Sequence, residues 1–356
     1  MKNAIALTAI CVLFLTLIPM KAADTIPASL SDEGFWRMVT SFSEEGGTFR
    51  YENLLSNEAS YQNVIPALKI LLPPGGVYLG VGPEQNFTYI AALEPKIAFI
   101  VDIRRQNMLE HLMYKALFEL SADRAAFISQ LFSRRRLDSP DEHSSADALF
   151  TAYEMQPADR SLLNETAGRV MDRLMDDHGF PLTASDGATI RHVLEEFFTG
   201  GPKIDYGFAS APSGIAAPTY SQLMTAADEA GRTWSYLSTE ENFTRVRGMQ
   251  INNMIVPLVG DFAGNKTLRT VAAYLKQRSA MVTAFYVSNV EQYLRKDESQ
   301  SFRTNVSLLP FSTSSTLIRF IPPATTQLES ISDFRFKRGS LFHLLNSEEL
   351  TGVQRQ

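Results

Sequence analysis

The stretch GGVYLGVGPEQNF, Gly75 to Phe87, decides how the rest of the chain is read. Val77–Gly80 has the length and apolar character of a short buried strand. Gly80 and Gly82 then permit a tight turn and a close approach of backbone to a ligand. Pro83 suits the first position of a helix, where its missing N–H costs nothing.

Outward from this turn the pattern repeats. Ile97–Val101 reads as a second buried strand, and it ends at Asp102. The following segment, RRQNMLEHLMYKALFEL, places Met108, Leu109, Leu112, Met113, Ala116, Leu117 and Leu120 on one helical stripe. Strand, helix, strand and helix in succession predict a parallel sheet with crossover helices, an α/β chain of Rossmann-like type. Further strands are expected at Trp234–Leu237, Met254–Val259 and Met281–Val287, with a helix over about Lys266–Lys276 between the last two. Short strands near Asn305–Leu309 and Thr316–Ile321 would form an antiparallel edge. Residues 28–74 read as a helical lead-in. Residues 121–230, mostly helical and too long for an ordinary crossover, read as an insertion beside the sheet. The core is then 75–120 with 231–356, all within one domain of residues 24–356.

The first 23 residues, MKNAIALTAICVLFLTLIPMKAA, have a basic start and an apolar run from Ala4 to Met20. This predicts a secretory leader or, uncleaved, an anchor through residues 4–20, with the body exported to the periplasm or outside the cell. Cys11, the one cysteine in the sequence, lies in that leader, so the exported part has no thiol for a disulfide or a thiolate metal site. The chain carries 33 basic and 39 acidic residues, and both basic residues of the leader precede the body, which is therefore more acidic still. A nucleic-acid surface needs a basic footprint and is not expected. A small-molecule ligand is.

In open α/β sheets ligands sit beyond the carboxyl ends of the strands. Asp102, about 20 residues after Gly82, stands where an acid commonly binds ribose hydroxyls. A dinucleotide fingerprint would need a third glycine, whose place Gln85 takes. Glu84 is expected to use the positive end of the helix and to repel a pyrophosphate. A ligand with ribose and a cation but no phosphate fits this turn better, and S-adenosylmethionine is such a ligand. A nicotinamide cofactor ranks last. The plain alternative is a Gly-Pro helix entry with an acid capping the next helix.

The runs GGVYLGVGPEQNFTYIAALEPKIAFIVDIRRQNMLEHLMYKALFELSADR and NMIVPLVGDFAGNKTLRTVAAYLKQRSAMVTAFYVSNVEQYL resemble a little-characterised bacterial family with a class I methyltransferase-like fold. FRYENLLSNE and APTYSQLMTAADEAGRTWSYLSTEENF resemble further segments of it. The resemblance implies an S-adenosylmethionine site at Gly80, Gly82, Glu84, Gln85, Asn86, Asp102 and Arg104. Asp261, read as following a fourth strand, and Asn289 are the catalytic candidates. Each has a plain alternative as a helix cap. Glu240, Glu241, Ser288 and Glu291 would complete an acidic rim suited to a cation. Arg104 and Arg105 could grip an anionic group, or else be solvated or balance nearby acids. Asn53, Asn57 and Glu58 offer a lid over the pocket.

The histidines, His111, His143, His178, His192 and His343, have no zinc-ligand spacing, so no metal is expected, and Asp176–His178 reads as a solvated loop. Ser210–Gly214 lacks the setting of a nucleophile elbow. Two functions follow: an S-adenosylmethionine-dependent methyltransferase of unknown acceptor, or an exported binding or interaction protein that keeps the scaffold.

Overall fold

A computed structural model describes residues 24–49, 51–141, 143–206, 217–321 and 325–336. The leader, Ser210–Gly214 and His343 lie outside these residues. Helix α1 (Asp32–Phe42) and α2 (Ile65–Leu71) precede the first strand, β1 (Val77–Gly80). Then come α3 (Gln85–Leu93), β2 (Ile97–Asp102) and α4 (Arg105–Leu120). Helices α5 (Arg124–Phe132), α6 (Ala146–Glu154), α7 (Arg160–Asp172), α8 (Ala184–Gly200), α9 (Tyr220–Thr225) and α10 (Glu240–Ile251) separate β2 from β3 (Ile255–Val259). The chain continues through α11 (Thr267–Gln277), β4 (Val282–Ser288), α12 (Lys296–Leu308), β5 (Phe311–Ile321), β6 (Thr325–Ser330) and α13 (Ile331–Phe336).

The six strands form one sheet in the order β3-β2-β1-β4-β5-β6. All pairs are parallel except β5 with β6. This is a Rossmann-like α/β fold, as the strand and helix spacing predicts. Strands β1, β2 and β3 are buried along their whole length, which is why they read as unbroken apolar runs rather than alternating ones. Pro257 is tolerated in β3 because that strand is the sheet edge. Phe42 of α1 and Tyr274 of α11 pack on Phe99 of β2. Phe302 of α12 packs on Phe285 of β4.

Helix α4 differs from the amphipathic helix that its stripe predicts. Besides the stripe, Asn107, Glu110, His111 and Lys115 are also buried. Helices α5, α8 and α10 pack on α4, His111 lies against the Gly82 carbonyl, and Lys115 donates to the Gln250 carbonyl of α10, so little of the helix is left in water.

Two expected strands are not strands. Trp234–Leu237 is a buried turn. Gln62 Oε1 accepts the Trp234 N–H at 2.7 Å, and the Asn242 amide donates to the Ser235 carbonyl at 3.1 Å. Asn305–Leu309 is the last turn of α12, whose first turn is fixed by Glu298 accepting the Arg295 N–H at 2.8 Å. The expected strand at Thr316–Ile321 belongs to β5, which runs parallel to β4, so the antiparallel edge is β6.

Candidate functional site

The strand order reverses between β1 and β4, and a cavity of about 370 Å³ opens at the carboxyl ends of β1 to β4. Each strand delivers part of its wall. Gly82, Pro83 and Gln85 come from the end of β1, Asp102 and Arg104 from β2, Gly260 and Asp261 from β3, and Tyr286, Ser288 and Asn289 from β4. The segment before α2 closes the wall with Asn53, Asn57 and Glu58. Phe49, Tyr206 and Tyr293 add aromatic surface, and Phe49 and Tyr293 meet edge to face at 5.0 Å.

Of the residues expected at the site, Gly82, Gln85, Asp102, Arg104, Asp261 and Asn289 stand on the cavity wall. Gly80, Glu84 and Asn86 stand behind it. Asn86 is the inner brace of the turn. Its amide donates to the carbonyls of Val81, Gly82 and Pro83 at 2.9, 3.1 and 2.7 Å, while its side-chain oxygen accepts from the Tyr78 hydroxyl at 2.8 Å. Pro83 does not start the helix. It lies in the turn, with Glu84 at the N-cap and Gln85 first in α3.

Glu84 does not act on the helix end as the sequence suggests. It is fully buried, caps nothing with its side chain, and accepts the Ser56 N–H at 3.4 Å. Burial pushes its carboxyl up to about 8, so at neutral pH it is mostly uncharged. The electrostatic objection to a phosphate at this turn therefore disappears. Glu110, behind the same turn, is also pushed well above the carboxylate range, by burial first and then by Glu84. His111 Nε2 lies 2.9 Å from the Gly82 carbonyl, and burial lowers this histidine to about 4. A neutral His111 thus donates from Nε2 and holds Gly82 in place.

Asp102 and Arg104 form one unit. Arg104 Nε and Nη2 donate to the two carboxylate oxygens at 3.0 and 2.9 Å, and the Arg104 backbone N–H adds a third bond at 2.9 Å. Arg104 is thus neither solvated nor free to clamp a ligand with its full fork. Arg105 turns away and pairs with Asp186 of α8 at 2.8 Å. Asp261 follows the third strand, not the fourth, because Trp234–Leu237 is not a strand. Its Oδ1 accepts the Ala263 N–H at 2.8 Å. Ser288 and Asn289 take the place after the fourth strand. Glu240 and Glu241 are away from the cavity wall, pairing with Arg124 and Arg245, and Glu291 pairs with Arg319.

The residue that sequence reasoning placed only in a lid is Glu58. It is 1% exposed, and one carboxylate oxygen accepts from the Ser288 hydroxyl. The other, Oε2, has no hydrogen-bond donor among the described residues. Burial pushes Glu58 up to about 7, with the Ser288 and Tyr286 hydroxyls pulling the other way. Ser288 holds this contact with a left-handed backbone, φ 50°, a conformation that costs energy in a residue with a side chain. Nothing in the local spacing of YENLLSNE signals a partner so far along the chain.

The family described as a domain of unknown function (DUF7790) matches residues 54–174 and 202–353. The chain belongs to this family. No curated protein matches it. The two DUF7790 segments hold every cavity residue from Leu55 to Glu298, so the site lies within the family's own boundaries apart from Thr48, Phe49 and Asn53.

Proposed function

We propose that this DUF7790 chain binds S-adenosylmethionine in the cavity and is a methyltransferase of unknown acceptor. One observation carries the reading: a glycine turn, an acid ending the second strand and polar groups after the third and fourth strands converge on a single cavity at the strand-order reversal. The residues fit such a donor. Gly82 and Gln85 would border its amino-acid portion. Asp102 Oδ2, which takes one bond from Arg104, keeps a lone pair for a ribose hydroxyl. Bound there, the donor would supply an electrophilic methyl group, and the chain's part is to hold it in line with an acceptor and keep water out.

A second reading has its own support. Arg104 engages both oxygens of Asp102, which weakens the grip on a ribose diol and favours a non-catalytic exported ligand-binding or interaction protein on the same scaffold. The leader-like residues 1–23 favour it too, since the donor is made in the cytosol. Calorimetric titration of S-adenosylmethionine and S-adenosylhomocysteine into the full chain decides between them. Micromolar binding of both supports the methyltransferase reading, and no heat at millimolar ligand removes it.

A further inference from the structure

Six charged side chains border the cavity: Glu58, Asp102, Arg104, Asp261, Arg295 and Glu298. Four of them neutralise each other in place. Arg104 is paired with Asp102, and Arg295 with Glu298 at 2.7 Å. Among the described residues neither Glu58 nor Asp261 has a cationic partner, and Asp261 spends one oxygen on the Ala263 N–H. Glu58 is the buried one, with Oε2 unbonded.

Among the described residues the groups around Glu58 offer it no positive charge. Tyr78 of β1 and Tyr89 of α3 lie within electrostatic reach of it, and Tyr286 and Ser288 of β4 offer it their hydroxyls. Ser56, on its own segment, accepts the Glu58 N–H at 3.1 Å. Burial pushes the phenols of Tyr78, Tyr89 and Tyr286 well above their ordinary range, so they remain neutral. A carboxyl group beside neutral hydroxyls at the edge of a cavity, with no counter-ion among the described residues, suits an occupant that brings one.

We propose that Glu58 is the counter-charge for a permanently cationic centre of the ligand, a sulfonium or quaternary ammonium group seated between the glycine turn and the end of β4. Seating that cation drives the Glu58 proton into solvent, turning a neutral acid into a carboxylate paired with the ligand. In its sulfonium form this rests on the donor reading above. The position of Glu58 near 7 leaves about half a proton to be released at pH 7, more below it and little above about 8, where the acid is already ionised.

The test is calorimetry at neutral pH in two buffers of different ionisation enthalpy, which counts protons released on binding. S-Adenosylmethionine, S-adenosylhomocysteine and tetramethylammonium are titrated into the full chain and into Glu58→Gln. The expected result is proton release with S-adenosylmethionine in the wild type, none with S-adenosylhomocysteine, and none with either in Glu58→Gln. The variant should also lose about tenfold in affinity for the sulfonium ligand. Glutamine imitates the protonated acid, so its melting should match the wild type near pH 4.5 and exceed it at neutral pH, where the unfolded wild type has lost the proton. Ser288→Ala, which removes a donor to the carboxylate, should carry the release to higher pH. Binding of S-adenosylmethionine without proton release, or equal release in Glu58→Gln, overturns the assignment. If neither adenosyl ligand binds, the donor reading fails and tetramethylammonium decides. Proton release that depends on Glu58 keeps the counter-charge, and its absence overturns it.

Discussion

The side-chain oxygen of Asn86 occupies the space that a Cβ on Gly80 would need, and the two atoms would stand 1.9 Å apart. Gly80 is therefore required by packing within the turn rather than by a ligand. Gly80→Ala should destabilise the fold by roughly 1–3 kcal/mol through overpacking. Asn86→Ala should cost a similar amount, since it strips the Tyr78 hydroxyl of its acceptor and three carbonyls of a donor. The double variant should be more stable than the sum of the two predicts, because removing Asn86 makes room for the new methyl. Urea unfolding of the four proteins measures the coupling.

Replacing Asp102 alone tests stability before it tests binding. Asp102→Ala leaves the buried Arg104 guanidinium without its anion, which should cost about 3–5 kcal/mol. Replacing both members, Asp102→Leu with Arg104→Met, should cost much less. Comparing melting temperatures of the single and double variants checks this. Any loss of ligand in Asp102→Ala must be read beside its unfolding curve.

At the C-terminal end of α4, His178 bridges Asp32 of α1 and Glu119 at 2.7 Å each, where the sequence suggests only a solvated loop. Glu119 also receives Lys115 and Arg173 at 2.6 and 2.7 Å. Burial opposes the charge of Glu119, but His178, Lys115 and Arg173 outweigh it and hold the carboxyl at about 2. A depressed carboxyl contributes stability that is complete above its unfolded value, near 4.5, and is lost as pH falls through about 2. The wild type should weaken across that window. Glu119→Gln should be weaker by about 3 kcal/mol or more at neutral pH, with a flatter acid limb. Urea midpoints across the acid range check both.

Glu84 predicts the opposite slope at higher pH. Its folded value, about 8, lies above its ordinary 4.5, so the folded chain holds a proton that the unfolded chain releases. Stability from this group is complete below about 4.5 and is lost as pH rises through about 8. Glu84→Gln should match the wild type in mild acid and exceed it above pH 8 by a few kcal/mol at most. Paired melting curves across this range measure the crossover. Glu119 and Glu84 thus contribute with opposite slopes, one on the acid limb and the other on the alkaline limb.

The parts of the fold that could be read from residues alone are those where local pattern and burial agree. VYLG, IAFIVD and IVPLV are wholly buried parallel strands, and a continuous apolar run says so directly. WSYL failed because four residues rich in aromatics suit a strand and a buried turn equally well, and distant groups such as Gln62 decide between them. SFRTNVSLLP failed because its helix is set by the capping residues before it, Arg295 and Glu298. At the site, the sequence brings Gly82, Asp102, Asp261 and Asn289 to one sheet edge, because strand ends are countable. It hides what they touch. The Asp102–Arg104 fork, the burial of Glu84 and the Glu58–Ser288 contact depend on rotamers and on segments as far as 230 residues apart in sequence.

The first described residues attach at the other end of the sheet. Asp24 pairs with Lys96, just before β2, and the Thr25 N–H donates to the carbonyl of Arg278, shortly before β4. These contacts lie at the amino ends of the strands, while the cavity lies at their carboxyl ends. The chain therefore enters the domain on the face away from the cavity, and a support coupled at Asp24 would leave the cavity mouth open to solutes.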